Sequence, residues 1–267
     1  MNNSTYPTPP PYAGSAFVVP LCSDYAPPRV ESFTFHLLWT FFFTAVYFVA
    51  DLCLKRLLPD SNTRWFGLHA LANLVTTLGA AQDLASVFLH PLCGMVSPTH
   101  SWVPTHAGMA VHLYHILGFF PFLRFEDWMH HLLFGGGMGA LNFLLPWGRV
   151  TNALLFFITG LPGGITYFML VMVKLGRIPS LTEKAISAQI NTWLRTPGLM
   201  WFTSVILFNF AHGTMHVPPW AACLCVLLSF TNGQFYGAQA LENFIVRRTE
   251  AKLQAALQKD RQGEAAL

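Results

Sequence analysis

The stretch Arg124–Arg149, RFEDWMHHLLFGGGMGALNFLLPWGR, decides how the rest of the chain is read. It opens with charges, places His130 and His131 about one turn inside an apolar segment, and then runs through Gly135, Gly136, Gly137 and Gly139. From 127 to 145 it approaches the ~20 residues needed to cross a ~30 Å hydrocarbon core. Ionisable groups are costly there, so the histidine pair is the first functional candidate and the remaining chain reads as its scaffold.

Composition points the same way. Of 267 residues, 53% are hydrophobic and only 10% charged, whereas soluble domains carry about a quarter charged residues. A polytopic membrane protein follows. The net charge of +3 has no basic stripe to match a nucleic-acid footprint, and nucleic acid is excluded as a partner. The first residues, MNNSTYPTPPPYAGS, lack the n- and h-regions of a signal peptide, so insertion is expected to be led by the first span.

Seven apolar stretches follow a Pro-, Ser- and Asn-rich tail over 1–31: 32–54, 66–89, 107–123, 127–145, 150–173, 197–213 and 219–245. With the tail outside, 13 of the 15 basic residues fall in inner segments, and only Arg29 and Arg149 fall outside. That bias favours an outer N-terminus and an inner C-terminus. It places the sequons at Asn2 and Asn3 on the glycosylated side. It also places Cys22 and Cys93 on the oxidising side, where either a disulfide or two free thiols is compatible with the sequence. The basic segment after 245, with Leu253 and Leu257, suits an interfacial helix or a solvated tail.

Two spans carry polar faces at helical spacing. His69, Asn73, Thr76 and Asp83 share one face of the second, and Asn232, Tyr236, Gln239 and Asn243 share one face of the seventh. Lipid satisfies neither, so both are expected to turn inward, onto partner helices or a polar chamber. The glycines of the fourth span predict close helix packing. Gly160-Leu161-Pro162-Gly163-Gly164 predicts a kink or break in the fifth.

Eleven histidines raise two chemistries. His112-x-x-His115 and His130-His131 allow a metal-dependent lipid oxidase. No H-x-x-H-H box exists, however, and the span map puts His112 near the outer face and the pair ~6 Å inside the inner one. A converging metal site is therefore not expected. Acid–base chemistry needs only an imidazole and an orienting group, and Asp127, one turn before the pair, is the candidate for the latter. The structural alternative is that the pair hydrogen-bonds neighbouring helices.

Asp127-Trp128-Met129-His130-His131, the apolar span with Asn142, and Arg149 resemble the core signature of the TLC domain family. That family includes ceramide synthases, translocating-chain-associated membrane proteins and lipid-homeostasis proteins. Arg64-Trp65-Phe66 before His69 and Asn73 resembles the start of the domain, and Asn191-Thr192-Trp193-Leu194-Arg195 its later aromatic–basic segment.

The resemblance covers roughly 60–245. It implies an endoplasmic-reticulum or related membrane, a lumenal N-terminus and a cytosolic C-terminus. In ceramide synthases the paired histidines belong to the motif that transfers an acyl group from acyl-CoA to a long-chain base. Those enzymes have a His-Asp pair and a further aspartate downstream, where this chain reads Thr159-Gly160-Leu161-Pro162-Gly163-Gly164-Ile165-Thr166. The acidic half is absent.

The expected architecture is thus an all-α bundle of about seven spans: a tail (1–31), a first span and loop (32–59), a TLC-like six-span domain around a lipid-sized chamber (60–245), and a cytosolic basic tail (246–267). The expected function is recognition or modification of a long-chain lipid. Any acyl transfer would use His130 or His131 as general base with Asp127, and His69, Asn73, Asp83, Asn142, Asn232, Tyr236 and Gln239 would line the chamber. No metal or resident cofactor is expected. Acyl-CoA is the possible co-substrate, its phosphates meeting Arg124, Lys174 or Arg177. Membrane lipids and a second copy of the chain are the candidate partners. The competing class is a non-catalytic lipid-binding, trafficking or structural protein, which the missing acids favour.

Overall fold

The structure, a computed structural model, describes residues 27–264 apart from Pro59 and Arg124. Within them the chain is all-helical and forms seven long helical runs, with one short 3₁₀ turn, Pro91–Cys93, between the second and third. The first three are α1 (Phe33–Leu57), α2 (Ser61–Leu89) and α3 (Val103–Phe119). The fourth joins α4 (Phe125–His130) to α5 (Gly139–Leu144) through a widened π turn, His131–Met138. The fifth joins α6 (Val150–Leu155) to α7 (Leu161–Lys174) through another, Phe156–Gly160. The sixth joins α8 (Ser180–Ile190) to α9 (Thr196–Ala211) through a third, Asn191–Arg195. The last run is α10, Pro219–Glu264.

Local chemistry sets these boundaries. Ser32 caps α1 by accepting the Phe35 N–H, and Asp60 caps α2 by accepting both the N–H and the hydroxyl of Thr63. Pro162 and Pro197 each lie just after a π turn. A proline has no N–H for the carbonyl four residues back and its ring crowds that carbonyl, and a widened turn relieves both problems. Where the sequence predicts a kink or break near Gly160–Gly164, the run does not break: it passes through a π turn that ends at Gly160 and stays helical beyond it.

Other boundaries also differ from the hydropathy map. The third run starts at Val103 rather than 107, and the sixth begins at Ser180, well before 197. The basic C-terminal segment is no separate interfacial helix, because α10 continues through it.

Two helices, Phe33–Leu57 and Val150–Lys174, are long and apolar enough to cross a membrane. α1 exposes large apolar side chains, while a number of polar side chains are buried elsewhere in the bundle. Phe33, Leu38, Phe41, Phe42, Phe48 and Val49 of α1 are all exposed, while His69, Asn73, Thr76, Asp83, Asn152, Asn209 and Asn232 are buried. Polar groups hidden from an apolar surround must find partners within the bundle.

Two apolar clusters hold the helices together. One packs Tyr47 of α1 against Leu68 and Ala72 of α2 and Ala110, Val111 and Tyr114 of α3. The other joins Val87, Val150, Phe157, Phe202, Ile206 and Ala221, from α2, the fifth run, α9 and α10. Ion pairs lock the ends. Arg64 Nε meets Asp51 Oδ1 at 3.1 Å, and the Tyr114 hydroxyl donates to the other Asp51 oxygen, tying α1, α2 and α3.

Glycines set close approaches where the bundle is tightest. A Cβ at Gly163 would come within 2.7 Å of Asn73 Nδ2, and one at Gly198 would overlap the Phe157 ring. Gly198→Ala is expected to cost ~1–3 kcal/mol through overpacking and to lower the thermal unfolding midpoint of the detergent-solubilised protein. Gly108, where an added Cβ meets nothing within 4 Å, gives the control: Gly108→Ala should leave the midpoint unchanged or raise it.

Candidate functional site

A cavity of about 210 Å³ lies between the two apolar clusters. Six of the seven helical runs line it, and α1 does not. From α2 come His69 and Asn73; from α3, Thr105, Met109 and His112; from the fourth run, Met138 and Asn142. The fifth run adds Leu154, Ile158, Thr159 and Tyr167, the π turn before α9 adds Arg195, and α10 adds Ser229, Asn232 and Tyr236. Most of the wall area is apolar, with convergent polar groups set into it. That is the pattern of ligand sites in general, although sites enclosing a drug-sized ligand span ~300–1,000 Å³. This one suits a single chain or headgroup rather than a whole two-chain lipid.

Each π turn reaches the cavity. The first contributes Gly135 and Met138, the second Ile158 and Thr159, and the third Arg195. A widened turn shifts the phase of the residues beyond it, which re-aims side chains that regular helix geometry would point elsewhere.

Four imidazoles gather beside the cavity. The ring of His131, itself buried, meets His112 edge-on with centroids 5.0 Å apart and lies 5.9 Å from His115. His115 lies 4.3 Å from His69 and stacks on Trp65 at 3.8 Å, while His69 stacks on Tyr167 at 4.4 Å. His112 Nδ1 is within hydrogen-bonding distance of the Gly108 carbonyl, at 2.7 Å.

The expectation that His112 and the histidine pair lie at different depths is overturned. α3 ends at Phe119 and α4 begins at Phe125, so His112, seven residues before that connection, faces His131, six after it. The four-residue shift in the start of α3 accounts for the error. Convergence does not by itself make a metal centre: among the described residues no group of three or more His, Cys, Asp or Glu side chains is placed to hold an ion.

Of the expected chamber residues, His69, Asn73, Asn142, Asn232 and Tyr236 line the cavity together. Asp83 does not. It accepts the Asn152 amide at 2.6 Å and the Ser101 N–H at 2.8 Å, and pairs with Arg149 Nε at 3.5 Å. Its carboxylate fastens α2, the 97–101 loop and α6, and is not free for catalysis. Gln239 is exposed, because α10 beyond Gly237 has outrun the helices that cover its polar face. Lys174 and Arg177 are exposed at the end of α7, away from the cavity.

Arg124, Cys22, Asn2 and Asn3, and the side chains of Asp127 and His130, lie outside the described residues. Cys93 is disulfide-bonded, and Cys53, Cys223 and Cys225 are free.

Sequence reasoning missed Arg195 as a lining residue. It counted this arginine as a loop charge because the apolar stretch begins only at 197. The helical run in fact starts at Ser180, fifteen residues before Arg195, and so carries it inward. Its Nη2 donates to Asn232 Oδ1 at 2.8 Å, and its guanidinium sits 4.7 Å over the Tyr236 ring. Thr159, whose hydroxyl donates to Asn73 Oδ1 at 2.7 Å, was read only as a missing acid.

Compared with known proteins, the chain matches no family model, no curated protein and no solved structure.

The Asp83–Arg149 junction carries a pH dependence through His100 in the loop between α2 and α3. Burial holds this imidazole down to about 4, while Asp83 raises it and Arg149 and His36 lower it. The unfolded chain takes up this proton near pH ~6.5, so stability is complete above that pH and falls as pH drops toward 4. His100→Gln should flatten this part of the stability profile. Chemical unfolding of both proteins at pH 7.5, 6 and 5 checks it, the expected difference growing toward the lowest pH.

Proposed function

We propose that this chain is a seven-span, TLC-like membrane protein that takes a long-chain lipid into the cavity enclosed by its last six helical runs. One observation carries the reading: a cavity with a few convergent polar groups, enclosed by helices whose outer surfaces are apolar. The charge bias of the loops supports an outer N-terminus and a cytosolic C-terminus, in the endoplasmic reticulum or a related membrane.

Within this reading the imidazole cluster supplies acid–base chemistry. His131, with His112 between it and the cavity, serves as general base, His130 completes the pair and Asp127 orients it. An acceptor hydroxyl or amine attacks the thioester carbonyl of an acyl-CoA as the imidazole takes its proton. The thioester C–S bond breaks, and the coenzyme thiolate leaves and recovers that proton. On this reading Lys174 and Arg177, both exposed, meet the coenzyme's phosphates on the cytosolic side together with Arg124.

Two other readings have an observation each. Asp83, the obvious carboxylate, is committed to Arg149 and Asn152, which favours a non-catalytic lipid carrier. The imidazoles of His69, His112, His115 and His131 converge without forming a group placed to hold an ion among the described residues, so a metal-dependent oxidase would need stoichiometric iron in the purified protein to stand.

The decisive comparison sets wild type beside His130→Ala/His131→Ala in nanodiscs with labelled acyl-CoA and extracted membrane lipid. Wild type should form a labelled lipid, and the double variant should lose at least about a hundredfold of that rate, as expected for a general base, while inserting normally. Co-purified lipid without label transfer by either protein would leave the carrier reading standing and remove the histidines from any mechanism.

A further inference from the structure

The interior charges do not balance. Among the described residues the ion pairs are Asp51 with Arg64, Asp83 with Arg149, Glu183 with Lys184 and Glu250 with Arg247. Asp51, Asp83 and Glu183, the described interior carboxylates, are thereby taken. Arg195 forms no ion pair with any described carboxylate, although it lies on the cavity wall. Its Nε is buried with no hydrogen-bond partner, and its one hydrogen bond runs from Nη2 to the neutral Asn232.

A guanidinium cannot shed its proton at any physiological pH. Moving such an ion out of water costs several kcal/mol, offset only by an opposite charge and by hydrogen bonds to its remaining donors. The face of Tyr236 and the Asn232 oxygen supply part of that offset. Neither carries the missing negative charge.

The rest of the wall says what accompanies that charge. Met109, Leu154, Leu155, Ile158 and Leu228 make an apolar lining that has nothing to offer a small hydrated anion. An alkyl chain attached to the anion fits them. The volume of about 210 Å³ takes a headgroup with the first part of one chain.

We propose that the cavity binds the anionic headgroup of a single-chain lipid, a carboxylate or a phosphate monoester, with Arg195 as its counter-ion. The inference rests on the reading of the cavity as a lipid site and adds the charge class of the ligand. The planar fork of Arg195 suits both oxyanions, each of which accepts two parallel N–H bonds. A cationic single-chain amine is excluded from the same place by like-charge repulsion.

The test uses the full chain in phosphatidylcholine nanodiscs, with four radiolabelled ligands of matched sixteen-carbon chain: palmitate, 1-palmitoyl lysophosphatidate, hexadecanol and hexadecylamine. Wild type should retain palmitate, lysophosphatidate or both about tenfold to a hundredfold better than hexadecanol, the span of a charge-assisted hydrogen bond, and hexadecylamine least of all. Arg195→Gln should abolish that preference while still binding hexadecanol, which also shows that it folds. Arg195→Lys should keep part of it.

The two anionic ligands tell a carboxylate site from a phosphate site. Competition by millimolar inorganic phosphate alone, with no gain from the chain, would make it a free-anion site and overturn the lipid part of the proposal. Equal retention of all four ligands, or an anion preference that survives Arg195→Gln, would overturn the role of Arg195 and leave lipid binding intact. Retention of none would overturn the lipid site itself.

Discussion

Everything in this fold follows from having to satisfy polar groups in an interior that excludes water while the exterior is apolar. Asn73, Asn142, Asn152, Asn209 and Asn232 are all buried, and an unmet amide there costs a few kcal/mol. The bundle meets them largely with one another and with backbone carbonyls. Thr159 donates to Asn73, Asn209 donates to the carbonyls of Pro91 and Val205, and Asn152 donates to Asp83 and to the carbonyl of Ser101. All but the Asn209–Val205 bond, which lies within α9, join one helical run to another or to the loop between α2 and α3, so they fix which helix lies against which in a way that non-directional apolar packing does not. The cavity is where this internal settlement stops short.

The π turns explain how a polar lining is reached without breaking the helices. A regular helix keeps every backbone group bonded but confines its side chains to a fixed phase. A broken helix frees side chains and strands backbone groups, which an apolar surround does not forgive. The wider turn is intermediate: it shifts the phase while the run stays helical. Pro162 and Pro197 impose two of these turns, and the glycine-rich His131–Met138 segment, poor in helix propensity, accommodates the third.

Much of this was legible in the residues. The helical content and the order of the runs followed from apolar periodicity, and the stripe His69–Asn73 and the pair Asn232–Tyr236 were read as inward-facing because nothing outside could satisfy them. The misses share one cause. Hydropathy marks where a segment becomes apolar, not where a helix begins. α3 begins four residues early, which brings His112 level with His131. α8 and its π turn precede the apolar part of the sixth run, which carries Arg195 inside. The polar stripe of α10 failed at Gln239 for the converse reason: spacing says which residues share a face and nothing about where the covering helices end.

The placement of Thr159, Gly163 and Arg195 joins the electrostatics to the chemistry. On the proposed TLC-like reading, Thr159 to Thr166 occupies the place of the acidic half of the ceramide-synthase signature. Thr159 and Gly163 do line the cavity, and Arg195 lines it too. The Thr159–Thr166 segment of the wall carries no carboxylate, and the guanidinium of Arg195 in the lining is positive. Carboxylates in such a chamber would favour a long-chain amine, which is a cation near neutral pH; a guanidinium without them repels it. On that reading the absent acids and the arginine act in the same direction: the chamber would favour an anion where a ceramide synthase takes an amine, and a change of substrate would account for the absent acids as fully as an absence of catalysis.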